Sequence, residues 1–462
     1  MSFAMFVVQN YVSKRASAMY NSFLKFINEH QLIQPTDRVV LAVSGGLDSV
    51  VMTHLFFRAG FAFGIAHVNF GLRGAESDAD EQLVRELAEQ FDVPFHSVQF
   101  DTDRLAAEQR KSIQVLAREL RYAWFDKVAR EQGYSLIATA HHQNDVLETL
   151  LLNLARGTGL TGLRSIPVRQ GNIIRPMWGL SRMAIKDYAV DGDLTWRDDR
   201  SNDEDKYNRN KIRHHIVPVL EKLNPNLLQT LAHTLERLRA ADSLVDESVR
   251  VSGQACVRQE GLFWNIDLDK LHRESEWAFR LSEWLKPFGF SYAQSREVAQ
   301  VVGKPDRGQV FRSSTHGVWH DRNGLVVAPL VVELDFTLPL PDPQAGTLTL
   351  PDGRQFVWQT YDRPPNLTLH TDPTVALLDA DQLTCPLRIR RWQEGDRFQP
   401  LNMTGHKMVS NLLNDRKVSM PERARTAVFE SAEGIAWVVG HRLAHSARVT
   451  DETRRVFECR LE

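Results

Sequence analysis

Along the first half of the chain, short apolar runs alternate with segments whose apolar residues recur every three or four positions. "RVVLAV" precedes a helical stretch from Leu47 to Arg58, and "FAFGIAHVNF" precedes an acidic helix opening near Glu76. "VPFHSVQF" precedes a long helix around "SIQVLARELRYAWFDKVAREQ", and "YSLIATA" precedes another that starts near Asn144. Apolar strands alternating with amphipathic helices predict right-handed βαβ units and an α/β fold with a parallel sheet covered on both faces. Ligands of such sheets collect beyond the carboxyl ends of the strands. Four segments fall there: "SGGLDS", "HVNFGLRG", "TAHHQND" and "RGTGLTGL".

Past residue 217 the pattern changes. "PNLLQTLAHTLERLRAADSLVDESV" reads as one long amphipathic helix with no strand after it, so a helical middle domain is expected over 218–330. Between about 330 and 385 the chain turns proline-rich and strand-like, and from "LRIRRWQEGDRFQPLN" onward it reads as a small α+β domain. The expected organisation is a parallel-sheet domain over 1–217, the helical domain, and a C-terminal domain over 331–462 whose compact part is about 386–462.

Composition sets limits on the chemistry. The 462 residues exceed one ordinary core, and 43% hydrophobic with 25% charged residues suit a soluble globular chain. No window approaches the ~20 apolar residues of a membrane span, so no membrane partner is expected. The start, "MSFAMFVVQNYVSKR", has no basic stretch before its apolar run and no small-residue cleavage site after it, so no secretory signal is predicted. Cys256, Cys385 and Cys459 are scattered and form no CxxC pair. That fits a reducing cytoplasm and argues against a zinc ribbon. A formal net charge of -2 means that any nucleic-acid surface must be local.

The densest chemistry is Ser44, Gly45, Gly46, Leu47, Asp48 and Ser49. Glycines bring backbone N–H groups close to an anion, and the following helix offers the positive end of its dipole. Asp48 would repel a bare phosphate, which makes sense if Mg2+ lies between them. A tight helix cap alone would explain a lone glycine pair, but not the buried strand, two serines and an aspartate together. No Gly-Lys-Ser/Thr element of the phosphate-cleaving P-loop is present. "SGGLDS" instead resembles the PP-loop of the N-type ATP pyrophosphatases, which grip the β,γ-pyrophosphate as a leaving group while an oxygen is adenylated.

Within that superfamily, "HVNFGLRGAESDADE", "TAHHQNDVLETLLLNLARGTGLTGL", "IIRPMWGLSR" and "WRDDRSNDEDKYNRNKIRHHIVPVL" follow in order the pattern of the tRNA(Ile)-lysidine synthetase family. "LRIRRWQEGDRFQPLNMTGHKMVSNLLNDRKVSMPERAR" resembles its C-terminal domain. The resemblance implies a PP-loop catalytic domain, ATP and Mg2+ as cofactors, and ligation of free L-lysine to the wobble cytidine of a CAU-anticodon tRNA(Ile) through an adenylated intermediate. A homodimer is left open. Two rivals stand beside this reading: another PP-loop base-modifying ligase, and a non-catalytic tRNA-binding protein.

Asp145 and Glu148 lie three apart at a helix start, and the resemblance assigns them to the lysine substrate; spacing alone would also suit dipole partners. The leucines Leu147, Leu150, Leu151 and Leu154 are expected on the opposite, inward face. The family usually has an acid where Asn144 stands. His141 and His142 follow a strand, and a zinc reading fails for want of a third ligand at suitable spacing. His67 and Asn69 are expected near the nucleotide, and Arg73 near a phosphate. "YNRNKIR" makes Arg209 the arginine expected to stabilise the adenylated intermediate, with Arg213 as the alternative. Arg391, Arg397 and Lys407 sit among aromatics and acids in the C-terminal domain, which suits tRNA contact. That domain and the helical middle are expected to measure the tRNA body while the first domain reads the anticodon loop.

Overall fold

The computed structural model describes residues 14–197, 208–302, 309–321, 324–368 and 372–462. Most of the amino-terminal run read for a signal lies outside them, as do Asp198, Asp199, Asp203, Glu204 and Asp205. The chain divides into two compact units, Met1–Leu244 and Val245–Glu462.

In the first unit the sheet has the strand order β3-β2-β1-β4-β6-β5, where β1 is Val39–Ala42, β2 Phe63–Asn69, β3 Phe95–Gln99, β4 Leu136–Ala138, β5 Arg169–Gln170 and β6 Ile173–Ile174. All pairs are parallel except the edge pair β5–β6. Alternation along β1 separates two cores. Val39 and Leu41 pack with Phe23, Val51, Leu55 and Phe56, whereas Val40 packs with Ala66, Phe125, Val128 and Ile137. Burial on both faces is why "VVLA" carries no polar residue. Chain order reverses between β1 and β4, so the loops leaving these two strands flank a crevice at the switch point.

The expected long helix spans Leu227–Cys256, across the boundary between Leu244 and Val245. Beyond it the middle region is not helical alone. Strands Val257–Glu260, Phe263–Asp267, Val310–Arg312, His316–Asp321 and Gly324–Pro329 form a five-stranded sheet under helices Trp277–Leu285 and Tyr292–Val301. These strands are short and interrupted by helix, which hid their period of two. The proline-rich stretch after 330 is no linker: Thr337–Pro339 pairs with Arg388–Arg391, and Gln355–Asp362 pairs with Arg455–Leu461. Phe429 and Phe457 stack at 5.2 Å in the core so formed.

His54 lies in the helix after β1, its Nδ1 2.9 Å from the Tyr188 hydroxyl. Burial first, then Arg58, lowers its pKa to about 4. It folds neutral and would take a proton at about 6.5 once unfolded, so the stability it supports is complete above that pH and is lost as pH falls towards 4. His54→Gln is therefore expected to flatten the acid side of the stability profile, measured by urea denaturation at a series of pH values. An unchanged slope contradicts this account.

Candidate active site

The loop after β1 is folded by its own polar atoms. Gly45 has φ +87, a conformation that L side chains rarely adopt, and a Cβ there would stand 3.4 Å from the Asp80 carbonyl oxygen. Ser49 Oγ donates to Gly46 O at 2.9 Å and accepts from Ser44 N at 3.1 Å; the Ser44 and Ser49 hydroxyls are 3.3 Å apart. Gly46 caps the helix Leu47–Ala59 without any side-chain bond, so the first-turn N–H groups face the crevice for a ligand. Asp48 stands in that first turn. Its Oδ1 is buried with no hydrogen-bond partner, and its Oδ2 is 3.6 Å from His142 Nε2.

A second network braces the loop from outside. Asp80 is buried in the helix Ala75–Phe91, its two carboxylate oxygens each 2.6 Å from a guanidinium, Arg73 and Arg197. Arg197 also donates its backbone N–H to Gly45 O at 3.0 Å. Arg73, expected at a phosphate, is thus held by Asp80. His67 is buried beneath the loop, where Nδ1 donates to Val43 O at 2.9 Å. It ties β2 to the end of β1, and a carbonyl partner fixes which ring nitrogen carries the proton. Asn69 closes a turn by accepting from Gly71 N at 2.9 Å.

At the mouth of β4, His142 caps the helix Gln143–Arg156, and Asp145 Oδ2 accepts from His142 N at 3.0 Å. The acid pair lies together but does not stand free. Arg209 bonds Asp145 Oδ1 and Glu148 Oε2, both at 2.7 Å; Arg213 bonds Glu148 Oε1 at 2.6 Å and Oε2 at 3.0 Å. Glu148 is 1% exposed and Asp145 is half-buried, and two guanidiniums compensate their charge. Burial would raise the Asp145 pKa, but His142, Arg209 and His141 outweigh it and hold it below the ordinary value. The leucine face departs from expectation: Leu147 is buried, yet Leu154, in the last turn of the helix, is 61% exposed. Arg209 and Arg213 are brought together where the short helix Asn208–Lys211 passes into a π-helical turn, Ile212–Ile216. Asn144 Oδ1 accepts from Arg182 N at 3.0 Å, a task that an amide oxygen performs as well as a carboxylate.

One cavity of about 460 Å³ is lined by the Ser44–Ser49 loop, Asp145, Arg197, Arg209 and Arg213, together with Phe70, Arg121 and Tyr122 on another wall. Arg121, Tyr122, Asp80 and Arg197 were not singled out from the sequence. Asp80 and Arg197 lie 117 positions apart, and no spacing rule reaches that far.

In the C-terminal unit, acids claim much of the basic cluster. Glu430 takes Arg388 and Arg390, Asp396 takes Arg390, and Lys407 pairs with Asp415. Arg391 donates to Glu333 O at 2.7 Å. Arg397 is exposed and, among the described residues, has no carboxylate partner.

Residues 15–220 match the family described as PP-loop domain, residues 259–330 that described as TilS substrate binding domain, and residues 387–459 that described as TilS substrate C-terminal domain. The chain is 36% identical to a tRNA(Ile)-lysidine synthase of Bacteroides thetaiotaomicron, over 94% of this chain and 97% of that protein. It is 32% identical to the tRNA(Ile)-lysidine synthase of Geobacter sulfurreducens, over 94% and 95%. Among solved structures, a U34-tRNA thiolase from Methanococcus maripaludis is similar over 48% of this chain and 79% of its own, with 19% identity and a TM-score of 0.41.

Asp80→Asn keeps the side-chain shape but weakens two charge-assisted bonds, each of about 1.5–3 kcal/mol. The variant is expected to raise the KM for ATP about tenfold while leaving the KM of the second substrate near the parent value. Steady-state kinetics with each substrate varied in turn checks this, and an unchanged KM for ATP refutes it.

Proposed function

The chain belongs to the tRNA(Ile)-lysidine synthase family, and we propose that this cleft joins the ε-amine of free lysine to C2 of the wobble cytidine in a CAU-anticodon tRNA(Ile). The activity is ATP-dependent lysidine formation in tRNA(Ile). The cytidine 2-oxygen attacks the α-phosphorus of ATP, and the bond to pyrophosphate breaks. The lysine nitrogen then bonds to C2, the C2–O bond to AMP breaks, and the amine sheds its protons to water.

Each part of the cleft suits one of these demands. The Ser44–Ser49 amides and the helix N-terminus receive the departing pyrophosphate. Asp48 is the residue that would hold Mg2+, because its Oδ1 is buried without a partner. One carboxylate suits an ion that takes its other ligands from phosphate and water. Mg2+ there would neutralise charge on the leaving group. Asp145 and Glu148 would accept N–H groups of lysine, while Arg209 and Arg213 beside them oppose a lasting ammonium charge and so favour the neutral, nucleophilic amine. The observation that carries the reading is this juxtaposition of a lysine-free phosphate loop with Asp145, Arg209 and Arg213 in one cavity, with Glu148 buried behind them as the partner of both arginines. It weighs against a scaffold that only binds tRNA.

Radiolabelled lysine, ATP and a CAU-anticodon tRNA are expected to yield labelled RNA, and the same tRNA with another wobble base is expected to stay unlabelled. Label that remains free with the CAU tRNA would sink the reading. Glu148→Gln should raise the KM for lysine more than that for ATP. Equal increases would remove Glu148 from the lysine site.

A further inference from the structure

Among the described residues, three arginines beside the cleft are offset by no acid. Helix Ile113–Gln132 carries Arg118, Arg121 and Tyr122, and Arg175 follows β6. Arg121 lies over the Phe70 ring at 5.1 Å from its centroid, and Arg118 over the Tyr122 ring at 5.1 Å. Arg175 is 3% exposed and donates to Pro167 O at 2.7 Å. Among the described residues, none of the three has a carboxylate within ion-pair distance, whereas Arg197, Arg209 and Arg213, which line the cavity together with Arg121, each have one.

This concentration of charge is felt nearby. His141, 2.9 Å from the Thr139 hydroxyl, has its pKa lowered to about 4, by burial first; Asp145 opposes, and Arg175, Arg209 and Arg118 add to the fall. Guanidiniums that repel one another without counter-charge leave a standing positive field, which an arriving anion would relieve. The aromatic faces under Arg121 and Arg118 fix their planes, so little side-chain freedom is lost on binding. Phosphate fits such a pair by its several acceptor oxygens.

The substrates bring two kinds of phosphate to this cavity: those of the nucleotide and the diesters of the RNA strand. The loop after β1 serves the nucleotide. We propose that Arg121 and Arg118, backed by Arg175, form a second anion site that holds a phosphodiester of the RNA strand beside the nucleotide being modified. The site rests on the reading of the chain as a tRNA-modifying enzyme and deepens it, adding backbone contact in the catalytic domain itself.

The test uses the full chain and a CAU-anticodon tRNA. Arg121→Gln and, separately, the exposed Arg118→Gln are compared with wild type by filter binding across a salt series. ATP binding without RNA is measured by equilibrium dialysis. For each variant the tRNA affinity is expected to fall about tenfold, and the slope of log affinity against log salt to shrink by about one. ATP affinity should be unchanged, and Arg121→Lys should restore most of the slope. A folded variant with the wild-type slope overturns the proposal. So does a loss confined to ATP affinity, which would assign the arginines to a nucleotide phosphate. Neither outcome touches the lysidine reading, which fails separately if wild-type protein transfers no lysine.

Discussion

A carboxylate cannot be buried without its charge being met, and Glu148 is buried. Two arginines from one short segment, Arg209 and Arg213, meet it, and Arg209 reaches Asp145 as well. Removing either side of such a pair leaves a buried ion uncompensated, typically at about 3–5 kcal/mol. Electrostatics therefore pins the chain around residue 210 against the helix that follows β4. That pinning makes one wall of the cavity. Without it, the loop after β1 would open onto solvent, and charges in water interact far more weakly than charges in a cleft.

The rest of the cleft is built by the same kind of pairing at longer range. Asp80 binds Arg73 and Arg197 and presses against Gly45, so one acid sets the outer edge of the phosphate loop. Asp48 departs from the pattern, with one oxygen buried and unpartnered beside the loop. Among the described residues, Arg118, Arg121 and Arg175 depart from it in the opposite sense, with no carboxylate partner. Where a fold matches most of its charges and leaves a few bare, the bare ones mark what it expects to bind. An unmatched anion faces the expected cation, and unmatched cations face an expected anion.

Much of this was legible in the sequence where the signal is local. The alternation of "VVLA", "IATA" and their neighbours with amphipathic helices specifies the parallel sheet, and the segments that leave the carboxyl ends of its strands mark where ligands gather. Gly45 and Gly46 declare a turn that comes close to an anion. The short strands between 257 and 329 were not legible, because runs of three to six residues interrupted by helices do not sustain a period. The proline-rich stretch after 330 read as a boundary, whereas its strands pair with partners as far away as Phe356 is from Leu461.

By itself, the sequence determined which residues carry charge, where the chain turns, and that the acids Asp145 and Glu148 share a helical neighbourhood three residues apart. Only the tertiary structure decided which charges meet. The pairing of Asp80 with Arg197, and of Glu148 with Arg209 and Arg213, spans 61 to 117 positions. It depends on crossovers whose geometry no local window contains. Backbone preference acts over a few residues, while charge neutralisation in a buried cleft acts between whatever the fold brings within about 3 Å.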